Sequence, residues 1–565
     1  MAVLAYLITP SAKSHNINAL ISHDLDGFSN EQWWSPHNSL VSNNLQSTLI
    51  SNLPVSVNPQ TIQYQKSQSY FDDYYNRIHI SPSKLDMGNV ASEQVSTVVI
   101  WNAYLVPKIL MSIDGTEDGI EISGQNNPPF SFTGLQERSW NIGILADGPS
   151  NIDLNLIWQF GVDQANLKIT GTRIIAFGWL VDWSKPIRET LQWLTDILQS
   201  QTGFEQRRSL RLTPRIHYEA EFLIYDAERQ YFDLALIGWG AKTFALPVWN
   251  QQQWLKTTHT VGSTIIYCDT THRNFRANRL AILRGQTAFD NETVEVESIL
   301  SDRLILKRPL QKNWVKGTCL SPAVTAQLSQ QPNLIKRTDR MMRASVALTV
   351  TEAIDHPTTF PATIYRSYPV LEEKPNEHND LTHSYERLLS QLDNKTGLVL
   401  QKDMAQAAFG LYQYEWMTYG RVQQANLRAL FYALCGSQKA IWLPTFSHDL
   451  TISAVIIANT QTLDIQWCGY TRFAQKQLGR QDIQITLKNQ SKLYRRITSA
   501  IEINNTTERL VVDQVFTSQI NVNDIANISF ISLCRLSNDN VTFEHINDSD
   551  GIAKTSATWR GVRES

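Results

Sequence analysis

The chain is 565 residues long, 42% hydrophobic and 18% charged, with a formal net charge of −3. That length is too great for one compact core and the composition is that of folded domains, which excludes a disordered chain and predicts several domains. The balanced charge excludes a general electrostatic pull toward nucleic acid or an anionic membrane.

Sixteen Trp, nineteen Tyr and twenty Phe make the chain rich in aromatic residues. Such rings fill β-sheet cores and dominate protein–protein contacts, and carbohydrate platforms use them too. Five cysteines (Cys268, Cys319, Cys435, Cys468 and Cys534) stand far apart with no CxxC pair. This reads as a set of reduced thiols rather than a disulfide framework or a zinc site. The apolar start Met1–Ile8 lacks a basic flank and is too short for a secretion signal. No run reaches the ~18 apolar residues of a membrane span. A soluble protein, folded in the cytoplasm, is expected.

Residues 1–90 read as a polar N-terminal region or arm, rich in Asn, Ser, Gln and His, with Trp33-Trp34, Tyr70-Phe71 and Tyr74-Tyr75 as anchors. The alternative is a loosely ordered segment packed on its own domain. From residue 91 to about 180 the pattern changes to short apolar runs. Val98–Trp101, Ile109–Met111, Ile152–Phe160 and Leu167–Phe177 predict strands. Asp114-Gly115, Asn127-Pro128-Pro129 and Asp147-Gly148-Pro149 predict their turns, and the spacing suggests a β-sandwich. Asp114, Glu117 and Asp118 crowd one turn, but their spacing fits no calcium loop.

Residues 181–257 read as a helix followed by the first unit of a repeat. Ser184-Lys185-Pro186 offers a helix start, and Ile187, Leu191, Leu194, Ile197 and Leu198 recur at helical spacing before Gly203. A second helix is predicted from Asn426 to Leu434, ended by Gly436. Four pairs of segments then recur in the same order after about residue 204. Tyr218–Phe222 is echoed by Tyr412–Trp416, Phe244–Trp249 by Ile441–Phe446, Asp302–Leu306 by Glu508–Val512, and Ala344–Val350 by Val541–Ile546. Shared order at a near-constant offset is the mark of duplication.

Pro247 and Pro444 end ladder pairing and send the chain out into β insertions, Thr258–Pro322 and Thr451–Arg535. The expected division is therefore 258–325 as an inserted β domain, then 326–450 as the closing strand of the first unit and the start of the second. A second inserted β domain follows at 451–535, and 536–565 forms the closing strand and tail. The fold class is mostly β with minor α and multidomain: a β-sandwich plus a duplicated β-rich unit, each copy carrying a small β insertion. Sheet edges and the Leu-Pro-aromatic corners are expected to face neighbouring subunits.

Motifs of enzyme chemistry are missing. There is no phosphate-cradling GxxxxGK[ST] or GxGxxG, no HExxH and no GxSxG. The twelve histidines are scattered without metal-ligand spacing. Carboxylate pairs such as Asp72-Asp73, or Glu219 with Glu221 on one strand face, are in type those of a glycosidase but are common on any solvated sheet. The basic run Arg207-Arg208-Ser209-Leu210-Arg211 with Arg215 reads as ion pairing rather than a DNA contact, for want of aromatic interleaving. No catalytic, cofactor-binding or metal-ligating residue is assigned, and no cofactor is expected.

The stretches Glu189–Asp196, Gly203–Arg207 and Leu210–Arg215, with the corners Leu246-Pro247-Val248-Trp249 and Leu443-Pro444-Thr445-Phe446, resemble tail proteins of tailed bacteriophages. Ser532–Leu536 followed by Asn538–Val541 is similar to them as well. The resemblance covers about residues 90–565. It implies a non-enzymatic virion protein of the tail tip or baseplate, in a symmetric ring of copies of itself; the repeat adds that three chains of two units each, or six whole chains, would match a six-fold tail tube. Such a ring joins the tail tube to hub, fibre or receptor-binding proteins, with no membrane and no specific nucleic acid as partner. The second copy of the repeat lacks the Glu-Gln-Arg and Pro-Arg elements of the first. The alternatives are a receptor- or glycan-binding adhesin that uses Trp254 or Trp314 as a stacking surface, and a polysaccharide hydrolase.

Overall fold

A computed structural model describes residues 74–90, 93–145, 149, 151–376, 380–547 and 550–563. The chain divides into two compact units, which meet in sequence at Arg173 and Ile174. Both are built mainly of strands, as expected. Trp33-Trp34, Tyr70-Phe71, Asp72-Asp73 and the Asp147-Gly148 turn lie outside the described residues.

The first unit is a sandwich of two four-stranded sheets. One has the order Ile78–Ser81, Gln94–Asn102, Glu137–Ile144, Ile120–Ser123; the other has Lys84–Val90, Asp163–Arg173, Asn151–Phe160, Ser112–Asp114. Residues alternate between core and solvent along Asn151–Phe160, so Ile152, Leu154, Leu156, Trp158 and Phe160 all point inward. Trp140 and Trp158 meet edge-to-face at 6.0 Å in this core. The buried Arg173 guanidinium donates to the carbonyls of Leu145, Pro149 and Gly119. Two boundaries are corrected here. Ile78–Ser81 and Lys84–Val90, included in the polar N-terminal region or arm, are sandwich strands, while Tyr74 and Tyr75 pack on Trp101 of the same unit, in line with the alternative of a segment packed on its own domain. The predicted strand Leu167–Phe177 stops at Arg173, where the sheet ends.

The second unit contains one fold twice. Its first copy comprises β1 (Ile187–Gln192), β2 (Thr195–Gln199), β3 (Glu205–Ser209), β4 (Arg215–Tyr225), helix α1 (Asp226–Trp239), β5 (Phe244–Pro247), β6 (Ile265–Tyr267), β7 (Leu280–Arg284), β8 (Asn291–Leu300), β9 (Arg303–Leu306), β10 (Cys319–Leu328), β11 (Asn333–Lys336) and β12 (Met341–Val350). The second comprises β13 (Thr382–Glu386), β14 (Leu389–Leu392), β15 (Leu400–Asp403), β16 (Phe409–Thr418), helix α2 (Arg421–Leu434), β17 (Ile441–Pro444), β18 (Thr462–Gln466), β19 (Asp482–Leu487), β20 (Lys492–Asn504), β21 (Thr507–Val512), β22 (Ile525–Leu536), β23 (Asn540–His545) and β24 (Ala553–Gly561).

Ladders recur one for one. β1–β4, β4–β12, β5–β10, β10–β12 and β11–β12 in the first copy match β13–β16, β16–β24, β17–β22, β22–β24 and β23–β24 in the second. Within the insertions, β6–β9, β9–β8, β8–β7 and β7–β10 match β18–β21, β21–β20, β20–β19 and β19–β22. Each insertion has its own apolar core, one around Val296 and Leu304, the other around Ile485 and Leu510. A third, larger core runs through both copies, from Trp193 and Phe222 to Phe431 and Trp559.

Register fixes the equivalences more finely than sequence does, and corrects two of its readings. Tyr218 faces Leu348 as Tyr412 faces Trp559, and Ala326 faces Val350 as Cys534 faces Gly561. The counterpart of the closing strand Ala344–Val350 is therefore β24, while the segment matched to it, Val541–Ile546, lies in β23 up to His545 and answers to β11. The copies also begin before residue 204: Ile175-Ala176 runs parallel beside Phe244-Ala245 as Val370 does beside Trp442.

The predicted helix over Ile187–Leu198 is two strands, β1 and β2. Ile187, Glu189 and Leu191 point inward at strand period, and the charge of Glu189 hides that alternation. Leu194, Ile197 and Leu198, which completed the helical spacing, are exposed. The second predicted helix is present as the C-terminal part of α2.

Candidate assembly interface

Where the two copies meet, one side of the junction is continuous sheet. β1 of the first copy pairs with its own β4 on one edge and with β23 of the second copy on the other, from Ile187 opposite His545 to Gln192 opposite Asn540. A strand with partners on both edges, in a unit whose core also spans both copies, leaves its inward side chains fully buried. Glu189 is one of them.

An unpaired carboxylate in that position would be prohibitively costly, and three neighbours compensate it. Arg428 of α2 grips it at two points, Nη1 to Oε1 at 2.6 Å and Nη2 to Oε2 at 2.5 Å. Tyr218 of β4 donates its hydroxyl to Oε1 at 3.2 Å, and Nε2 of His545 lies 2.8 Å from Oε2. Gln424 reaches the other ring nitrogen, Nδ1, at 3.0 Å, which suits a neutral imidazole donating from Nε2. Burial by itself would raise the Glu189 carboxyl, but the Arg428 charge and the hydrogen bonds of Arg428 and His545 outweigh it and hold it far below the usual range. Burial lowers His545 despite the nearby carboxylate, and raises Tyr218 well above an ordinary tyrosine.

A second contact lies at the end of the same ladder. Asp539, just before β23, accepts from the Thr195 amide at 2.6 Å and hydroxyl at 2.8 Å, and from the Ser437 amide at 2.9 Å and hydroxyl at 2.7 Å. Burial pushes its carboxyl up, but the donors from Ser437 and Thr195 prevail and hold it below the usual value. Gly436 sits at φ +66°, and a Cβ there would fall 2.5 Å from Asp539 Oδ1 and 2.7 Å from Trp193 Cβ. Arg207 donates to the Ser437 carbonyl at 2.7 Å while paired with Glu205, so this part of the basic run belongs to the junction. Arg208 and Arg215 are exposed.

The matching surfaces on the flanks are open. β13, the counterpart of β1, pairs only with β16 among the described residues, and β11, the counterpart of β23, only with β12. The helices differ in the same sense. Ala429 and Tyr432 of α2 are 6% and 2% exposed, whereas their equivalents on α1, Leu234 and Ile237, are 69% and 82% exposed. Unpaired strand edges with apolar side chains beside them are the usual route by which one chain adds to another.

No protein-family model matches this chain, and no curated protein is similar to it.

Other predicted positions are not drawn into one place. Glu219 is exposed, while Glu221 on the same strand face is paired with Lys185 at 2.5 Å and lies 3.6 Å from Arg343. Trp314 is buried, donating to Glu292 at 2.7 Å, and so is no stacking platform; Trp254 is 58% exposed. The aromatic corners are corrected too: Trp249 is buried in the core and Phe446, partly buried, packs against that core, so neither ring is presented to a neighbour as expected. Among the described residues no group of three His, Cys, Asp or Glu could hold a metal ion, all five cysteines are free, and no helix is long and apolar enough to cross a membrane. In the sequence Glu189 stands out only as part of the stretch Glu189–Asp196 that resembles tail proteins. Its partner Arg428 stands 239 positions away, and no local pattern announces the pair.

Proposed function

We propose that this protein is a structural component of a bacteriophage virion, part of the tail-tip or baseplate ring that joins the tail tube to hub, fibre or receptor-binding proteins. One observation carries the reading: a single chain holds two copies of one fold, welded by a strand ladder, with the corresponding edges open on both flanks. A unit that already joins to its like in one direction is suited to continue in that direction, and a head-to-tail series closes into a ring when the rotation permits. Three such chains would present six repeats to a six-fold tube; six whole chains are the competing arrangement. The resemblance of residues 90–565 to tail proteins supports the same assignment. Its work is assembly rather than catalysis, and it takes place on the virion after folding in the host bacterial cytoplasm.

The test is cryo-electron microscopy of virions released by cells that express this chain. Density for the chain as a three- or six-fold ring at the far end of the tail is the expected result. Intact virions without it, with monomeric chain left in the lysate, would overturn the proposal.

A further inference from the structure

The internal junction is a template for a junction between chains. We infer that β13 of one copy of the protein pairs antiparallel with β11 of the next, in the register that β1 and β23 adopt within the chain. This deepens the ring proposal above, on which it rests, by naming the two edges and the residues that meet.

Equivalence sets the register. β13 stands on β16 as β1 stands on β4, with Thr382 opposite Gln413 where Arg188 is opposite Glu219. β11 stands on β12 as β23 stands on β24, with Lys336 opposite Met342 where His545 is opposite Ala553. Carrying over Arg188 opposite Glu544 and Glu189 opposite Phe543 places Thr382 of one chain against Ile335 of the next, and His383 against Leu334. His383 already stacks on Tyr412 at 4.5 Å, as Glu189 is bonded to Tyr218. Leu381 and Leu334, on the inward faces of the two edges, reach the margin of the shared core.

The polar groups complement one another, with the acid now on the helix and the cation, Lys336, on the edge strand, while burial and Arg480 lower His383 and leave it a neutral hydrogen-bonding group. The place of Glu189 is taken by His383, that of Arg428 by Asp233 on α1, and that of His545 by Lys336. The helices align through their inward residues, Phe232 with Leu427 and Ala235 with Leu430, which fixes Asp233 as the counterpart of Arg428. In the internal junction a carboxylate from one side meets a cation on the helix. Between chains an imidazole from one side meets a carboxylate on the helix, with Lys336 beside it. The exposed Leu234 and Ile237 of α1 flank the same edge; inside the chain, Trp193 and the connector at Ile354, His356 and Thr359 lie over their equivalents Ala429 and Tyr432. The occupant is thus a second copy of this chain, and each further copy leaves the same two edges free.

Cross-linking of full-length chains tests the register. On a Cys468→Ser background, to remove the exposed native thiol, one chain carries T382C and another carries I335C. Opposed residues of an antiparallel ladder lie about 4.5–5.5 Å apart at Cα, within disulfide reach. The expected result is a covalent dimer when the two are mixed and oxidised, and none from either alone. A companion measurement uses charge: Asp233→Arg should abolish oligomers, and Asp233→Arg with His383→Glu, which copies the Glu189–Arg428 pair, should restore them. Oligomers that form normally without the cross-link would overturn this junction while leaving the ring intact. A chain that stays monomeric at every concentration would overturn both.

Discussion

Glu189 and Arg428 form a two-point ion pair wholly inside the protein, one contributed by each copy of the repeat. Removing one member strands the other, which for buried pairs costs about 3–5 kcal/mol, whereas replacing both with apolar groups is often close to neutral. Glu189→Gln and Arg428→Met should each lower the urea-unfolding free energy of the second unit by that amount. Glu189→Met with Arg428→Met should recover much of the loss. Single variants within about 1 kcal/mol of the parent would show that the pair does not hold the copies together.

Acid should loosen this junction in two stages. Burial holds His545 neutral below its ordinary pKa, and burial with the nearby Arg428 and Arg276 pushes His356 down to about 3. The unfolded chain then takes up protons that the folded chain refuses, so stability falls as pH drops below about 6.5, by at most about 1.4 kcal/mol per unit for each such histidine. Glu189 and Asp539 are depressed carboxylates, so their contribution is complete only above their ordinary pKa values, at about pH 5 and higher, and is lost as pH falls toward their folded values. Unfolding free energies measured at pH 7 and pH 5 should differ less in His545→Gln than in the parent. An equal difference would remove His545 from the account.

Gly436→Ala tests how closely the copies approach. The added methyl would enter the space of Asp539 and Trp193 from a left-handed backbone, and the expected loss is about 1–3 kcal/mol in thermal unfolding. A neutral result would mean that the Asp539 contact is looser than its hydrogen bonds indicate.

Trp314→Ala and Trp254→Ala separate core from surface. Trp314 is enclosed by the core of the first insertion, and truncation should cost about 3–5 kcal/mol. Trp254 is largely exposed, and its truncation should change stability by no more than about 0.5 kcal/mol. Equal effects would contradict the placement of these rings.

Much of the duplication was legible because Tyr218 and Tyr412 head strands of matching alternation, and Pro247 and Pro444 end the same edge in both copies. The closing strand was not, because β23 and β24 both alternate and only pairing with β16 tells them apart. The β1–β2 segment was misread for a physical reason also seen at the site. Glu189 occupies a core position that an apolar pattern assigns to a hydrophobic residue, and what makes it tolerable there is Arg428 and His545, brought in by the other copy. Sequence can show a charge in the wrong place; the fold supplies the partner.

A ring of this protein requires the chain to assemble with itself through its open edges. Cryo-electron microscopy of the purified full-length protein, concentrated until its mass is constant, tests it most directly. The expected result is closed rings with a continuous sheet crossing each boundary between chains, from β13 of one to β11 of the next. A population of single chains, or oligomers in which β11 and β13 remain exposed to solvent, would contradict it.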